Sequence, residues 1–377
     1  MSWSFKLARI GGIDVKVHVT FILILLWVGY VWGINLKMGP GGALFGVVVT
    51  LLLFLCVLLH ELAHSFVARR YGVTVRDIIL LPIGGMAQMD KMPEKPGEEL
   101  KMSLAGPLTN IVIVAIIIAF SLLAKFDIIT GIAEIYRNPS SVGWRELVPY
   151  MALANLFLGI FNLVPAFPMD GGRVLRALLA LRLDYVKATK WAVNIGQGLA
   201  FLFGLFGVIS ANWLLFIIAV FIYMGARNEV QTVELKGALE GILVSQAMTR
   251  KLQVIEPQAR LSQVIDISME TFQTEFPVVE GERLVGLLTE ADLLAGFKKQ
   301  GAESPVSQAM RTKFPVAKPG EPLFDAQQRM SLARLGAIPV VDDGKLVGLL
   351  TAQDVNKAYW LLPGKPRRGT IATLSKE

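Results

Sequence analysis

Residues 54–71 read FLCVLLHELAHSFVARRY, and His60-Glu61-Leu62-Ala63-His64 forms an H-E-x-x-H pattern inside a nearly unbroken apolar run. No Gly or Pro interrupts residues 51–71, so the pattern predicts a helix. On a helix, residues four apart share a face, with Cβ atoms about 5–6 Å apart. His60 and His64 therefore offer two imidazoles to one metal ion. Glu61, about a third of a turn on, can take a proton from an attacking water. Short H-E-x-x-H matches also arise by chance, mostly on soluble surface helices. Here the chain has three His, two of them in the motif. The flanks read as a membrane span, where ionisable side chains are costly and tend to be functional.

The hydrophobic fraction of 54% over 377 residues is too high for an ordinary soluble globule. It suits a membrane protein with a soluble appendage, and the length allows two or three domains. The net charge of +7 is explained by cytoplasmic loops rich in Lys and Arg. No basic stripe with interleaved aromatics points to nucleic acid. Cys56 is the one cysteine, which excludes an intrachain disulfide. The N-terminal segment lacks a small-residue cleavage site, so its first apolar stretch is expected to stay as a span.

Six spans are expected, centred on residues 15–34, 51–71, 102–123, 148–164, 191–209 and 213–226. His18 falls near the start of the first, either as an interfacial structural residue or close to the metal. Residues 35–42 are a polar break. Residues 73–92, with β-branched residues, Pro82 and Gly84-Gly85, read as two short strands about a turn. They form either a plain surface hairpin or a strand edge beside the metal. Residues 91–101 hold Pro93 and Pro96 and read as a loop. Pro165 and Pro168 end the fourth span, and residues 174–183 read as a short helix. A cytoplasmic N-terminus puts Lys6, Arg9, Lys16, Arg69, Arg70, Arg76, Lys91, Lys95, Lys101, Arg173, Arg176, Arg182, Lys187 and Lys190 inside. Only Lys37, Lys125, Arg137 and Arg145 then lie outside, which satisfies the positive-inside rule with both termini cytoplasmic.

From residue 231 onward the chain is charged, and it repeats. Ser245-Gln246-Ala247-Met248 recurs as Ser307-Gln308-Ala309-Met310, Val285-Gly286-Leu287-Leu288-Thr289 as Val347-Gly348-Leu349-Leu350-Thr351, and Asp292 as Asp354, each 62 residues on. Each unit reads as strand, helix, strand, strand, helix.

Two His leave a catalytic zinc site incomplete, because such sites take three protein ligands and one open position. A carboxylate is expected third, since no His remains beyond His18. Asp170 is the best candidate, where Pro168 breaks the helix. Asp127, Glu134 and Glu146 fall in an outer loop on the wrong side.

His60-Glu61-x-x-His64 in a span, followed by Asn162-x-x-Pro165-x-x-Pro168-x-Asp170-Gly171, resembles the site-2 protease family of intramembrane zinc metalloproteases. Ala105-Gly106-Pro107-x-x-Asn110 and Pro82-x-Gly84-Gly85 also resemble that family's patterns. The repeat resembles a tandem pair of CBS domains, which some members carry. The resemblance implies a polytopic α-helical membrane protein of about six transmembrane helices with a short β-hairpin, followed by a soluble α/β tandem CBS module. The expected domains are a protease domain at 1–228, a linker at 229–243, CBS domains at 244–300 and 306–362, and a tail at 363–377.

The resemblance further implies one zinc ion on His60, His64 and Asp170, with Glu61 as general base and Asn162 supporting the oxyanion or the substrate backbone. It implies substrate contacts at Pro82, Gly84, Gly85 and Asn110, with residues 78–89 as the family's membrane-inserted hairpin. Peptide bonds in or near transmembrane segments of membrane proteins are the implied substrate. In CBS pairs a Thr and an Asp three residues later contact phosphate and ribose of an adenine nucleotide. Thr289 with Asp292 and Thr351 with Asp354 match, so ATP or AMP is the expected regulatory ligand. The bland alternative is a dimer-forming pair without ligand. Two rival functions are a CBS-regulated transporter with His60, His64 and Asp170 as an ion path, and an inactive scaffold. Glu61 beside His60 and the intact ligand set argue against both.

Overall fold

The computed structural model describes residues 3–89, 93, 95–125, 127–137, 142–271 and 273–361. Two compact units divide it, Met1–Gln231 and Thr232–Glu377. The expected tail at 363–377 lies outside the described residues.

The first unit opens with strands β1 (Ser4–Ile10) and β2 (Ile13–His18). Gly11 and Gly12 between them both have positive φ, +56° and +82°, as a two-residue hairpin turn of the right twist requires. The expected span from residue 15 is thus corrected. Ile13, Val15 and Val17 alternate with Asp14, Lys16 and His18, a period of two that makes a strand. Ile13 and Val15 are fully buried on one face, and Lys16 on the other face pairs with Asp77. Helix α1 (Phe21–Tyr30) follows and ends in a wider turn at Val31–Asn35. His18 Nδ1 lies 2.7 Å from Thr20 Oγ1, at the head of that helix.

Helix α2 (Gly39–Arg70) carries the H-E-x-x-H pattern, and Arg69 and Arg70 close its last turn. Strands β3 (Val75–Leu81) and β4 (Gly84–Met89) form the expected hairpin. It is one half of a four-stranded sheet of order β1-β2-β3-β4, with β2 and β3 parallel and β4 at an edge. Helix α3 (Pro96–Ala124) starts inside the stretch expected as a loop. Pro96 suits the first helical turn, where no backbone donor is missed, and Glu98 and Glu99 oppose the dipole there.

Helices α4 (Ile128–Arg137), α5 (Leu147–Asn162), α6 (Asp170–Ala180), α7 (Tyr185–Ile209) and α8 (Trp213–Leu239) complete the run. Asn212 caps α8 through Oδ1 to the Leu215 amide at 3.2 Å, in the tight turn expected at residues 210–212. Four described helices, α2, α3, α7 and α8, are long and apolar enough to cross a bilayer. The expected count of six is not met by that measure. The first of the remaining two is the 15-residue Phe21–Asn35 segment and the other is α5, of 16 residues. At about 1.5 Å per residue both fall short of a hydrocarbon core of roughly 30 Å.

The second unit contains α9 (Val244–Ala247), α10 (Leu261–Thr271), β5 (Glu275–Glu280), β6 (Arg283–Thr289), α11 (Glu290–Gln300), α12 (Leu323–Leu332), β7 (Ala337–Asp342), β8 (Lys345–Thr351) and α13 (Ala352–Leu361). The elements α10, β5, β6 and α11 recur as α12, β7, β8 and α13, each starting 62 residues later. The sheet order is β5-β6-β8-β7. The first strand expected in each unit is reduced to single bridges, Ile255 to Val278 and Ala317 to Val340. Two further bridges cross between repeats: Thr249 pairs with Leu349, and Arg311 with Leu287.

Leu350 is fully buried in this core, whereas Leu294 is 51% exposed. Leu350→Ala is expected to cost about 2–5 kcal/mol and Leu294→Ala no more than about 0.5 kcal/mol, measured by chemical denaturation.

Candidate metal centre

Helix periodicity sets His60 and His64 on one buried face of α2, each 5% exposed. Asp170 opens α6 directly after the Pro165–Pro168 break and is 7% exposed. The three side chains meet. His60 Nε2 and His64 Nε2 are 3.1 Å apart, and Asp170 Oδ2 lies 3.1 and 3.0 Å from them. Tetrahedral zinc with bonds of roughly 2.0–2.1 Å holds its ligand atoms roughly 3.3–3.4 Å apart, close to this triangle. The far nitrogens explain why. His64 Nδ1 lies 2.7 Å from the Met102 carbonyl, which only accepts, so Nδ1 carries a proton and Nε2 is the nitrogen left for a metal. His60 Nδ1 lies 3.0 Å from Asn110 Oδ1 in the same way. With both imidazoles neutral, the two nitrogens and the carboxylate oxygen present three lone pairs to one point in a buried site, an arrangement that a metal cation satisfies. The donor set therefore fits zinc. Among the described residues this is the one group of three or more His, Cys, Asp or Glu spaced for a metal.

Close approach depends on absent side chains. A Cβ on Gly106 of α3 would collide with Nε2 of both His60 and His64. A Cβ on Gly85 of β4 would stand 2.6 Å from Glu61 Cγ, so the edge strand runs directly past Glu61. Arg173 approaches the outer oxygen of Asp170, with Nη1 3.9 Å from Oδ1.

Comparison with known proteins decides the family. The model of Peptidase family M50 matches residues 48–205, and that of the CBS domain matches 244–299 and 306–361. A zinc metalloprotease of Methanocaldococcus jannaschii is 36% identical over 362 residues, 96% of this chain and 98% of that one. The chain belongs to peptidase family M50. It is a zinc metalloprotease of the site-2 protease type with a tandem CBS pair, as its sequence motifs implied. Rip3 of Mycobacterium tuberculosis is 29% identical to this peptidase over 379 residues, 93% of this chain and 92% of that one. Among solved structures, the site-2 protease of M. jannaschii is 41% identical, covers 60% of this chain and 95% of its own, and has a TM-score of 0.43.

Other expected site residues of the peptidase distribute unevenly. Pro82 lies in the turn between β3 and β4, and Gly84 and Gly85 open β4. Asn110 was expected along the substrate path. It is fully buried and bonded to His60, behind the imidazole rather than on an open face. Asn162 closes α5 and is half-buried. His18 is outside the cluster. Met102 and Arg173 carry no sequence signal as parts of the site, and Gly106 enters there only as a member of the Ala105-Gly106-Pro107 motif. Met102 acts through its carbonyl, which no side-chain pattern signals, and Arg173 looked like one more inside charge.

In the CBS pair, Thr289 caps α11, and its Oγ1 donates to Asp292 Oδ2 at 2.6 Å. Thr351 and Asp354 repeat this at 2.8 Å. Each aspartate already has a partner from the other repeat's leading segment. Arg311 makes a two-pronged bond to Asp292, at 2.5 and 3.0 Å, and Thr249 Oγ1 lies 3.1 Å from Asp354 Oδ1. Partial burial works against the charged Asp292 carboxyl, but the bonds from Arg311 and Thr289 prevail and hold its pKa below the ordinary value.

Gly106→Ala is expected to cut bound zinc to a small fraction of wild type while the protein still folds. Elemental analysis of purified protein, with a thermal melt as control, checks both.

Proposed function

We propose that this peptidase hydrolyses peptide bonds within or near transmembrane segments of membrane proteins. His60, His64 and Asp170 hold the zinc and Glu61 is the general base. The observation that carries the reading is the buried convergence of three donor atoms whose outer nitrogens are tied to Met102 and Asn110. Zinc bound there supplies a Lewis acid that polarises the scissile carbonyl and makes water more acidic. Glu61 takes the proton of the attacking water and passes it to the leaving amine. Asn110 and the Met102 carbonyl keep both imidazoles in the tautomer that leaves Nε2 free. Asn162, at the end of α5, supports the oxyanion or the substrate main chain.

A helical substrate has its carbonyls tied up internally and must unwind before attack. The edge strand β4 can take the unwound segment by main-chain pairing, with Pro82, Gly84 and Gly85 bordering the path, and Gly85 keeps that edge next to Glu61. The basic end of α2, at Arg69 and Arg70, supports a cytoplasmic site with both termini and the CBS pair on the same side.

The CBS pair is proposed to bind an adenine nucleotide, with Asp292 and Asp354 on ribose and Thr289 and Thr351 toward phosphate. A nucleotide at Asp292 must displace Arg311, which frees a guanidinium for phosphate. Any effect on proteolysis requires different affinity for two states of the protein.

His60→Ala, His64→Ala and Asp170→Ala should each lose zinc and activity. Glu61→Gln should keep zinc and lose about 10²–10⁴-fold in turnover. Full zinc occupancy by elemental analysis in Asp170→Ala would remove Asp170 from the ligand set.

Calorimetry on the whole protein with AMP or ATP tests the second unit. Binding in wild type, abolished by Asp292→Ala with Asp354→Ala, is expected. No heat at millimolar nucleotide would leave the pair as a structural or dimerising module.

A further inference from the structure

One face of α3 carries Glu99, Met102, Gly106 and Asn110, spaced three, four and four residues apart. Three of these positions serve the histidines. The Met102 carbonyl holds His64, Asn110 holds His60, and Gly106 makes room for both. Among the described residues, Asp170 bonds to His60 and His64 of α2 and is approached by Arg173 of α6, with no direct tie to α3. The fourth position, Glu99, supplies one through α6. Arg176 lies six residues beyond Asp170 on that helix, about 9 Å along its axis. Its Nε is 2.8 Å and its Nη2 2.5 Å from Glu99 Oε1. Nη1 binds Glu229 of α8.

The pair is deeply enclosed. Arg176 is 1% exposed and Glu99 fully buried. The guanidinium sits 5.0 Å from the Phe167 ring and 4.9 Å from the Tyr185 ring, which fixes its plane. Well-packed apolar groups often match or exceed the stability of such a buried ion pair, so stability alone is a weak reason for the network. At the other end of α6, a Cβ on Gly171 would strike the carbonyls of Leu163 and Val164. One on Gly172 would stand 2.6 Å from the Phe167 nitrogen. That end is pressed onto the preceding loop, so the place of Asp170 follows the pose of α6 as a whole.

We propose that Arg176 is the positioning residue for Asp170, with Glu99 as its anchor. The fork sets the rotation and depth of α6, and hence where Asp170 Oδ2 lies relative to the two imidazoles. α3 then locates all three donors: His60 through Asn110, His64 through Met102, and Asp170 through Glu99 and Arg176. The inference rests on the reading that these three side chains hold zinc.

The test uses the full-length protein in detergent, with zinc exchanged for cobalt, whose visible absorption reports ligand geometry. Arg176→Lys keeps the charge and loses the planar fork. It should fold with a near-native melting temperature, shift the cobalt bands, and bind metal about 10–100-fold more weakly in a chelator competition. Its kcat should fall with KM unchanged. Glu99→Leu with Arg176→Met replaces the pair by apolar groups and should show the same metal loss in a folded protein. Wild-type cobalt bands and metal affinity in Arg176→Lys would overturn the proposal. If the double variant does not fold, Arg176→Lys decides alone. Asp170→Ala separates the two levels. Lost metal there beside a normal Arg176→Lys sinks the positioning role and leaves the zinc reading. Undiminished metal in Asp170→Ala sinks the zinc reading itself.

Discussion

The repulsion among three buried, electron-rich atoms governs the membrane unit. His60 Nε2, His64 Nε2 and Asp170 Oδ2 stand 3.0–3.1 Å apart where water cannot screen them. Without a cation that arrangement would cost the fold dearly. With one, it becomes a strong cross-link between α2 and α6. Much else follows from supplying and holding those atoms. α2 must be helical through both His, α6 must begin at Asp170, and a third helix must present acceptors to the imidazoles at matched heights. In a bilayer, with no water to fill an unmet bond, each acceptor has to come from the protein.

Glycine has a consistent part in this. At Gly106, Gly85, Gly171 and Gly172 a single carbon would meet a ring nitrogen, the Glu61 side chain or main-chain atoms. Membrane helices are not driven together by the hydrophobic effect, since lipid tails are as apolar as leucine, and close backbone approach through small residues takes its place. The reactive groups and the small residues are therefore two sides of one requirement.

How much was legible depended on whether the information was local. H-E-x-x-H spacing, the Pro-rich break before Asp170, the strand pair about Pro82 and the 62-residue repeat are each carried by short local patterns, and the structure contains the helix, the break, the hairpin at Val75–Leu81 and Gly84–Met89, and the repeat. The N-terminal sheet is masked because Val15 and Val17 merge with the apolar run after them, although they alternate with Lys16 and His18. The start of α3 is hidden in the sequence because Pro96 looks like a breaker, although proline is well suited to a first helical turn. Arg176 was read as an inside-facing charge. Its partners, Glu99 and Glu229, lie 77 and 53 residues away in sequence. Only the tertiary fold shows that a charge assigned to water is enclosed by two aromatic rings.

The crossed bridges in the second unit carry a consequence for how the chain is made. Thr249 pairs with Leu349, and Arg311 with Leu287. The leading segment of the first repeat thus waits for a partner 100 residues downstream. As the chain leaves the ribosome, the first repeat has its hairpin and helices but lacks one edge until nearly all of the second has emerged. Neither repeat can be completed alone, and closing so long a loop is slow compared with pairing neighbours. The folding of the module is therefore tied to the completion of the second repeat, and a chain ending before Leu349 leaves the first repeat without that pairing.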